Sequence, residues 1–240
     1  MAGHSKWANI KHKKAKEDAK KGKIFTKIIR EITVVSRDGG GDPANNPRLR
    51  LLMDKARAAN MPADNITRAI QKGTGELEGT HYESILYEGY GPNGVAIMIE
   101  TLTDNKNRTV ADIRHTFSKH NCSLGDSGTV SWMFEQLGVV TLVKPDVVSE
   151  DALLEQFIEH DVDDVSIGDE MIRLVGPREQ LMAIKQVAED LGYTVDSVQL
   201  EWIPTNKIEL DDAAGEKVYH FLDALDDLDD VQNVYANIAD

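Results

Sequence analysis

The sequence predicts an α+β protein of three domains: an N-terminal helical bundle and two α/β domains, one a ferredoxin-like βαββαβ unit inserted in the other. Three observations predict it. Apolar residues between positions 24 and 70 recur at helical spacing and are interrupted by glycine and proline. Beyond residue 80, short β-branched runs alternate with helical ones. One stretch, 139–202, carries its own strand, helix, two strands, helix, strand order. The expected boundaries are 1–78 for the bundle with its arm, 79–134 plus 205–240 for the middle domain, and 135–204 for the insert.

Residues 1–22 are polar and lysine-rich, and cannot bury enough surface to order themselves alone. A helix follows, with Ile24, Phe25, Ile28, Ile29, Ile32 and Val35 on one face, and Gly39-Gly40-Gly41 stops it. Lys20, Lys23, Lys27 and Arg30 fall on the other face. A second helix starts at Asn46-Pro47, Asn as cap and Pro in the first turn, with Leu49, Leu52, Met53 and Ala56 inward. Met61-Pro62 breaks it. A third helix carries Ile66, Ala69 and Ile70 and is expected to end at Gly73, before a Gly/Thr/Glu linker.

Ile85-Leu86-Tyr87 and Val95 to Ile99 read as strands around the turn Gly91-Pro92-Asn93-Gly94. The second is apolar on both faces, which predicts a central strand. A helix runs from Asn107 with Val110, Ile113 and Phe117 inward, and Val130, Trp132 and Phe134 alternate as a strand. In the insert, Val139–Val143, Val162–Ile167, Met171–Val175 and Val195–Trp202 are the strands. Leu153, Leu154, Phe157 and Ile158 mark one helix, and Leu181, Ile184 and Leu191 the other. The tail offers one helix (Ala214, Val218, Phe221, Leu222, Leu225) and one strand (Val234, Ala236, Ile238), too little to stand alone. It most simply completes the sheet begun at residue 85, which implies the insertion; a serial arrangement is the alternative.

Charge is the main functional signal. The 240 residues carry a formal net charge of −14. Met1 to Lys72 holds 17 cations against 7 anions and is +10, which leaves −24 for the rest. Such segregation points to a basic nucleic-acid-binding head on an acidic body. In the body, Asp223, Asp226, Asp227, Asp229 and Asp230 form the densest cluster, read as a solvated face or as a patch for a basic protein partner. No apolar run reaches the roughly 20 residues of a membrane span, and the first residues lack the apolar core of a secretory signal. The one cysteine, Cys122, excludes an intramolecular disulfide and a thiolate zinc cluster. A cytoplasmic protein with no membrane partner is expected.

No catalytic, metal or cofactor site is expected. Gly125-Asp126-Ser127-Gly128 has the look of a serine-protease nucleophile segment, but Thr129 follows it and no His and Asp context precedes it, so a tight turn suffices. Gly73-Thr74-Gly75 lacks the lysine of a phosphate loop. His115 and His120, five apart, fall on different helix faces. Val165 and Leu174 fall where a calcium loop starting at Asp163 needs oxygen ligands.

Several segments, in order, resemble one family: Ala2-Gly3-His4-Ser5-Lys6-Trp7-Ala8-Asn9-Ile10-Lys11-His12-Lys13-Lys14, Asn60-Met61-Pro62 through Ile66, Arg68 to Gly73, Tyr87-Glu88-Gly89-Tyr90-Gly91-Pro92, Thr103-Asp104-Asn105-Lys106-Asn107-Arg108-Thr109 and Val130-Ser131-Trp132-Met133-Phe134. Together they are similar to the YebC/PmpR family, which includes the mitochondrial translational activator of cytochrome oxidase subunit one. The resemblance implies a helical domain plus two α/β domains and a nucleic-acid partner. It divides between DNA-binding transcriptional regulation and translation close to the ribosome, and carries over no catalytic residue.

The residues expected to meet nucleic acid are Lys6, Trp7, Lys11, His12, Lys13, Lys14, Lys16, Lys20, Lys21 and Lys23 on the arm, Lys27 and Arg30 on the first helix, and Arg48, Arg50, Arg57 and Arg68 on the next two. Lysine is a point charge without a bidentate fork, so its predominance favours backbone contact over base reading. Trp7 would stack on a base or ribose, or fold back as a cap on the bundle. His12 gains charge on mild acidification. The helix arginines would offer fixed forks to phosphate, or stand as ordinary solvated charges. The expected function is a non-enzymatic regulator of gene expression that binds DNA, with a ribosome-associated factor binding ribosomal RNA as the alternative.

Overall fold

The computed structural model of the chain describes residues 21–145 and 149–239. The bundle comprises α1 (Lys21–Gly39), α2 (Pro47–Ala58) and α3 (Ala63–Thr74). Their apolar faces close on one another around Ile28, Ile32, Leu49, Ala56, Ile66 and Ala69, all buried. Met53 and Ile70 pack at the edge of this core. Asn46 starts α2 as expected: its side chain accepts from the Leu49 N–H at 3.1 Å and donates to the Gly40 carbonyl at 2.8 Å, tying the end of α1 to the start of α2. Gly40 takes a positive φ of 83° there.

Gly73 does not end α3. It lies within the helix, where a Cβ would sit 2.4 Å from the Thr33 carbonyl oxygen. Its missing side chain lets α3 approach the α1 backbone, and the helix runs one residue further to Thr74, with Gly75 in the left-handed cap position.

The middle sheet has the order β3-β1-β2-β8, built from β1 (Glu83–Tyr90), β2 (Ala96–Thr103), β3 (Ser123–Leu124) and β8 (Val231–Ala236). All pairings are antiparallel. β2 lies between β1 and β8 and is buried along nearly its whole length, as its two-faced apolar pattern requires. Helices α4 (Lys106–Lys119) and α7 (Asp212–Asp226) supply Phe117 and Phe221. These rings meet edge-to-face at 4.9 Å. Asn105 caps α4 by accepting from Arg108 N–H, and Asp211 caps α7 through Ala214 N–H.

The second sheet has the order β5-β6-β4-β7, with β4 (Phe134–Val143), β5 (Asp164–Ile167), β6 (Met171–Gly176) and β7 (Val195–Pro204). With α5 (Glu150–Phe157) and α6 (Leu181–Asp190) in the intervening segments, this is the ferredoxin-like order. Val140, Leu142, Leu153, Phe157, Ile172 and Ile184 form its core.

The alternation of Val130, Trp132 and Phe134 proved misleading. Only Phe134 is in a strand; Ser131–Met133 is a short 3₁₀ turn. The cause is Glu88 on β1. Its buried carboxylate accepts the backbone N–H groups of Gly128, Val130 and Ser131 at 2.8–2.9 Å, gathering that segment into a loop rather than a ladder.

Candidate nucleic-acid interface

α1 has two faces. Its apolar face fills the bundle core. Lys23, Lys27, Arg30 and Arg37 lie along another, at spacings near whole helical turns. All four side chains are docked against the middle domain. Lys23 Nζ donates to the Asp227 carbonyl at 2.8 Å and approaches its carboxylate at 3.5 Å. Lys27 Nζ donates to the Asp226 carboxylate at 3.1 Å. Arg30 Nη1 donates to Asp230 Oδ1 at 2.9 Å and to the Leu102 carbonyl at 3.2 Å, and its guanidinium lies over the Tyr82 ring. Arg37 Nη1 donates to the Tyr82 carbonyl at 2.8 Å.

The acidic cluster of the tail is therefore not simply a solvated face. Asp226, Asp227 and Asp230 pair with the chain's own first helix. The sequence pattern placed cations and anions in separate blocks, but the fold brings these blocks together. Attraction between them accounts for it, since the last turn of α7 leaves unpaired carbonyls that accept from lysine alongside the carboxylates.

Asp230 anchors the junction. It is buried. Arg108 Nη2 donates to its two oxygens at 3.0 and 2.9 Å, and the Thr109 and Thr103 hydroxyls donate at 2.7 and 3.2 Å. Burial alone would raise its carboxyl pKa. The Thr109 hydrogen bond, Arg108 and Arg30 outweigh burial and hold it below the usual carboxylate range. Asp104, and then Asp230, hold the Arg108 guanidinium firmly protonated. The segment Thr103 to Thr109 is thus a clamp for a carboxylate more than 120 residues away. No local pattern announced that role.

The other expected contacts divide. Arg50 is turned back on its own loop, donating to the Pro43 and Ala44 carbonyls. Arg57 pairs with Asp54 at 2.8 Å on an exposed face. Arg48 on α2, with Arg68 and Lys72 on α3, is exposed, and none of the three forms an ion pair among the described residues. Lys21 begins α1. Lys6, Trp7, Lys11, His12, Lys13, Lys14, Lys16 and Lys20 lie outside the described residues.

The segments set aside on sequence have structural explanations. Gly128 in the Gly125–Gly128 turn donates to Glu88, whose carboxyl is held low by these backbone bonds against the opposing effect of burial. His120 stacks near His220 and Phe221, and burial lowers its pKa. Burial raises that of the Cys122 thiol. Among the described residues, no three side chains are placed to hold a metal ion, and no helix is long and apolar enough to cross a membrane.

A three-helix head ion-paired to an antiparallel α/β sheet, followed in sequence by a ferredoxin-like unit, defines the class: a charge-segregated, multi-module α+β protein. The chain belongs to the TACO1/YebC family, whose N-terminal domain matches residues 5–76 and whose second and third domains match residues 82–238. A probable transcriptional regulatory protein of Persephonella marina is 53% identical over 239 residues, spanning 99% of this chain and 95% of that one. One of Thermotoga maritima is 48% identical over 237 residues, spanning 99% and 93%. The crystal structure of a conserved hypothetical protein from Aquifex aeolicus superposes with a TM-score of 0.90 at 47% identity, over 98% of this chain and 97% of that one.

Proposed function

We propose that the chain is a non-enzymatic regulator of gene expression that binds nucleic acid through its basic N-terminal segment, acting in the cytoplasm as a DNA-binding transcriptional regulator. The observation that carries this reading is the segregation of charge, +10 up to Lys72 against −24 beyond it. An acidic body repels phosphate, so the molecule docks head first. Arg48, Arg68 and Lys72 supply fixed cations on α2 and α3, and the lysines of residues 6–21 supply further point charges. The name borne by the relatives agrees with this reading. The pairing of β8 with β2 supports a division into 1–78, 79–134 with 205–240, and 135–204.

Fluorescence anisotropy on a DNA duplex and on RNA of equal length, for the full chain and a chain lacking residues 1–22, tests it. The expected result is salt-sensitive binding, with a slope near −0.9 per phosphate neutralised on duplex DNA, lost on truncation while the melting transition remains. A truncated chain that binds as before removes the arm from the reading.

A second reading follows from the preponderance of lysine, which reads backbone and suits ribosomal RNA equally. In that case the protein is a translation factor that aids elongation. In-cell crosslinking that recovers ribosomal RNA without promoter DNA would select it.

A further inference from the structure

We propose that the Asp226–Asp230 segment acts as an internal phosphate mimic, holding the cationic stripe of α1 closed until nucleic-acid phosphates displace it. The proposal rests on the nucleic-acid reading above and adds its regulation. From Lys23 to Arg37 the stripe rises through 14 residue steps, about 21 Å of helix at 1.5 Å per residue, and Lys23, Lys27, Arg30 and Arg37 all donate to acceptors of the middle domain. These acceptors are carboxylates and carbonyl oxygens, the chemistry that phosphate oxygens share.

Three further observations make the contact a releasable one. First, the bundle core is closed within the bundle: every buried member of that cluster lies between Ile28 and Ala69. The contacts described from α1 across the junction are hydrogen bonds, ion pairs and the Arg30 guanidinium over the Tyr82 ring, and none of them belongs to that core. Second, Asp230 keeps both Arg108 hydrogen bonds and two threonine hydroxyls if Arg30 departs, so opening leaves no uncompensated buried carboxylate. Third, the closed state satisfies Arg30 incompletely, because its Nε is buried without a hydrogen-bond partner. A phosphate offers that Nε–H an acceptor beside the Nη donors. Salt acts on the outer pairs first, since the Lys23 and Asp227 side chains are about half exposed (46% and 57%) and screened by solvent.

The test compares three full-length proteins: wild type, Asp226→Asn/Asp227→Asn, and Asp163→Asn/Asp164→Asn. The last removes the same charge from the exposed start of β5 and the residue before it, in the ferredoxin-like unit. Binding to a fluorescent DNA duplex and to single-stranded RNA is titrated across salt concentrations, and thermal melting establishes that each variant is folded. Losing two weak intramolecular pairs should tighten binding by the Asp226/Asp227 variant about fivefold beyond the control. Its log–log salt slope on duplex DNA should steepen by roughly 2, one increment for each lysine released. If that variant binds no tighter than the control and the slope is unchanged, the mimic is overturned while nucleic-acid binding stands. If none of the three binds either probe, the mimic and the function it rests on fall together. If the variant is unfolded, Lys23→Gln/Lys27→Gln decides. That substitution removes the released cations and should leave wild-type affinity nearly unchanged if they are shielded in the closed form, whereas a loss as large as that from Arg48→Gln/Arg68→Gln would overturn the proposal.

Discussion

Arg30 and Asp230 stand 200 residues apart in sequence and 2.9 Å apart in space. The Asp230 carboxylate also takes two hydrogen bonds from Arg108 Nη2, at 2.9 and 3.0 Å. One carboxylate therefore joins α1, the start of α4 and the approach to β8. Asp230→Ala should cost about 3 kcal/mol, the low end for orphaning a buried ion pair, because Arg108 is partly exposed and can turn to water. Asp230→Asn keeps the shape and loses only charge, and should cost roughly half that. Urea unfolding followed by circular dichroism measures both. Equal stability of Asp230→Ala and wild type would dismiss the carboxylate as an anchor.

The same group sets an acid limit. Asp230 and Glu88 both hold pKa values below their ordinary ones in the folded chain. A lowered folded pKa means that the charged form is favoured by folding. Its stabilisation is then complete above the unfolded value, near 4, and is lost as pH falls through the lowered folded value. The contribution of these two carboxylates should be flat from neutrality to about pH 5 and fall steeply below about pH 4. Chemical denaturation at stepped pH tests this, and the acid limb should become shallower in Asp230→Asn and in Glu88→Gln. A limb of equal slope in both variants would place the titrating groups elsewhere.

Glu88→Gln should also loosen the loop before β4. Glu88 Oε2 accepts from Val130 and Ser131, and Oε1 from Gly128. An amide presents one oxygen, so its NH₂ would face a backbone N–H. The cost should be about 1–3 kcal/mol for the donor left unpaired. Hydrogen exchange should accelerate at Gly128, Val130 and Ser131 and stay unchanged in β6. Protection unaltered at those three amides would contradict the role assigned to the carboxylate.

These anchors mark where sequence reasoning stops. The Asn46-Pro47 start of α2 was legible because cap chemistry acts within three residues. The β2 strand was legible because burial on both faces leaves an unbroken apolar run. The ferredoxin-like order followed from element order alone. Arg108 was visible only as part of a motif, since its partner Asp230 lies 122 residues on. Lys23, Lys27 and Arg30 were recognised as a cationic face, but the sequence carried no sign that Asp226, Asp227 and Asp230 would cover it. Charge blocks reveal what a segment could attract, and only the fold decides whether the partner is foreign or its own.

Gly73→Ala tests the closeness of α1 and α3. Alanine favours helix by nearly 1 kcal/mol over glycine at an unhindered interior site. Here the new methyl would lie 2.4 Å from the Thr33 carbonyl and 2.8 Å from Ser36 Cβ. Backbone cannot yield as a side-chain tip can, so overpacking should dominate and destabilise the protein by about 1–3 kcal/mol. Thermal unfolding gives the sign directly: a raised midpoint would mean that the two helices can part without cost.

Arg48 and Arg68 distinguish charge attraction from sequence reading. Both are exposed, so substitution should leave stability within about 0.5 kcal/mol of wild type. If each contacts one phosphate, Arg48→Ala and Arg68→Ala should each weaken binding on every probe by a similar factor and reduce the salt slope by roughly 1. An arginine forked onto a guanine edge behaves differently. Its loss costs about 1–3 kcal/mol on the preferred site and little on unrelated sequences. Anisotropy on several unrelated duplexes separates these patterns. Uniform weakening would assign α2 and α3 to holding the backbone and leave any base preference to residues 1–20. Selective weakening would make the bundle itself the reader. No change on any probe would reduce both arginines to solvated charge and confine the interface to the lysine-rich arm.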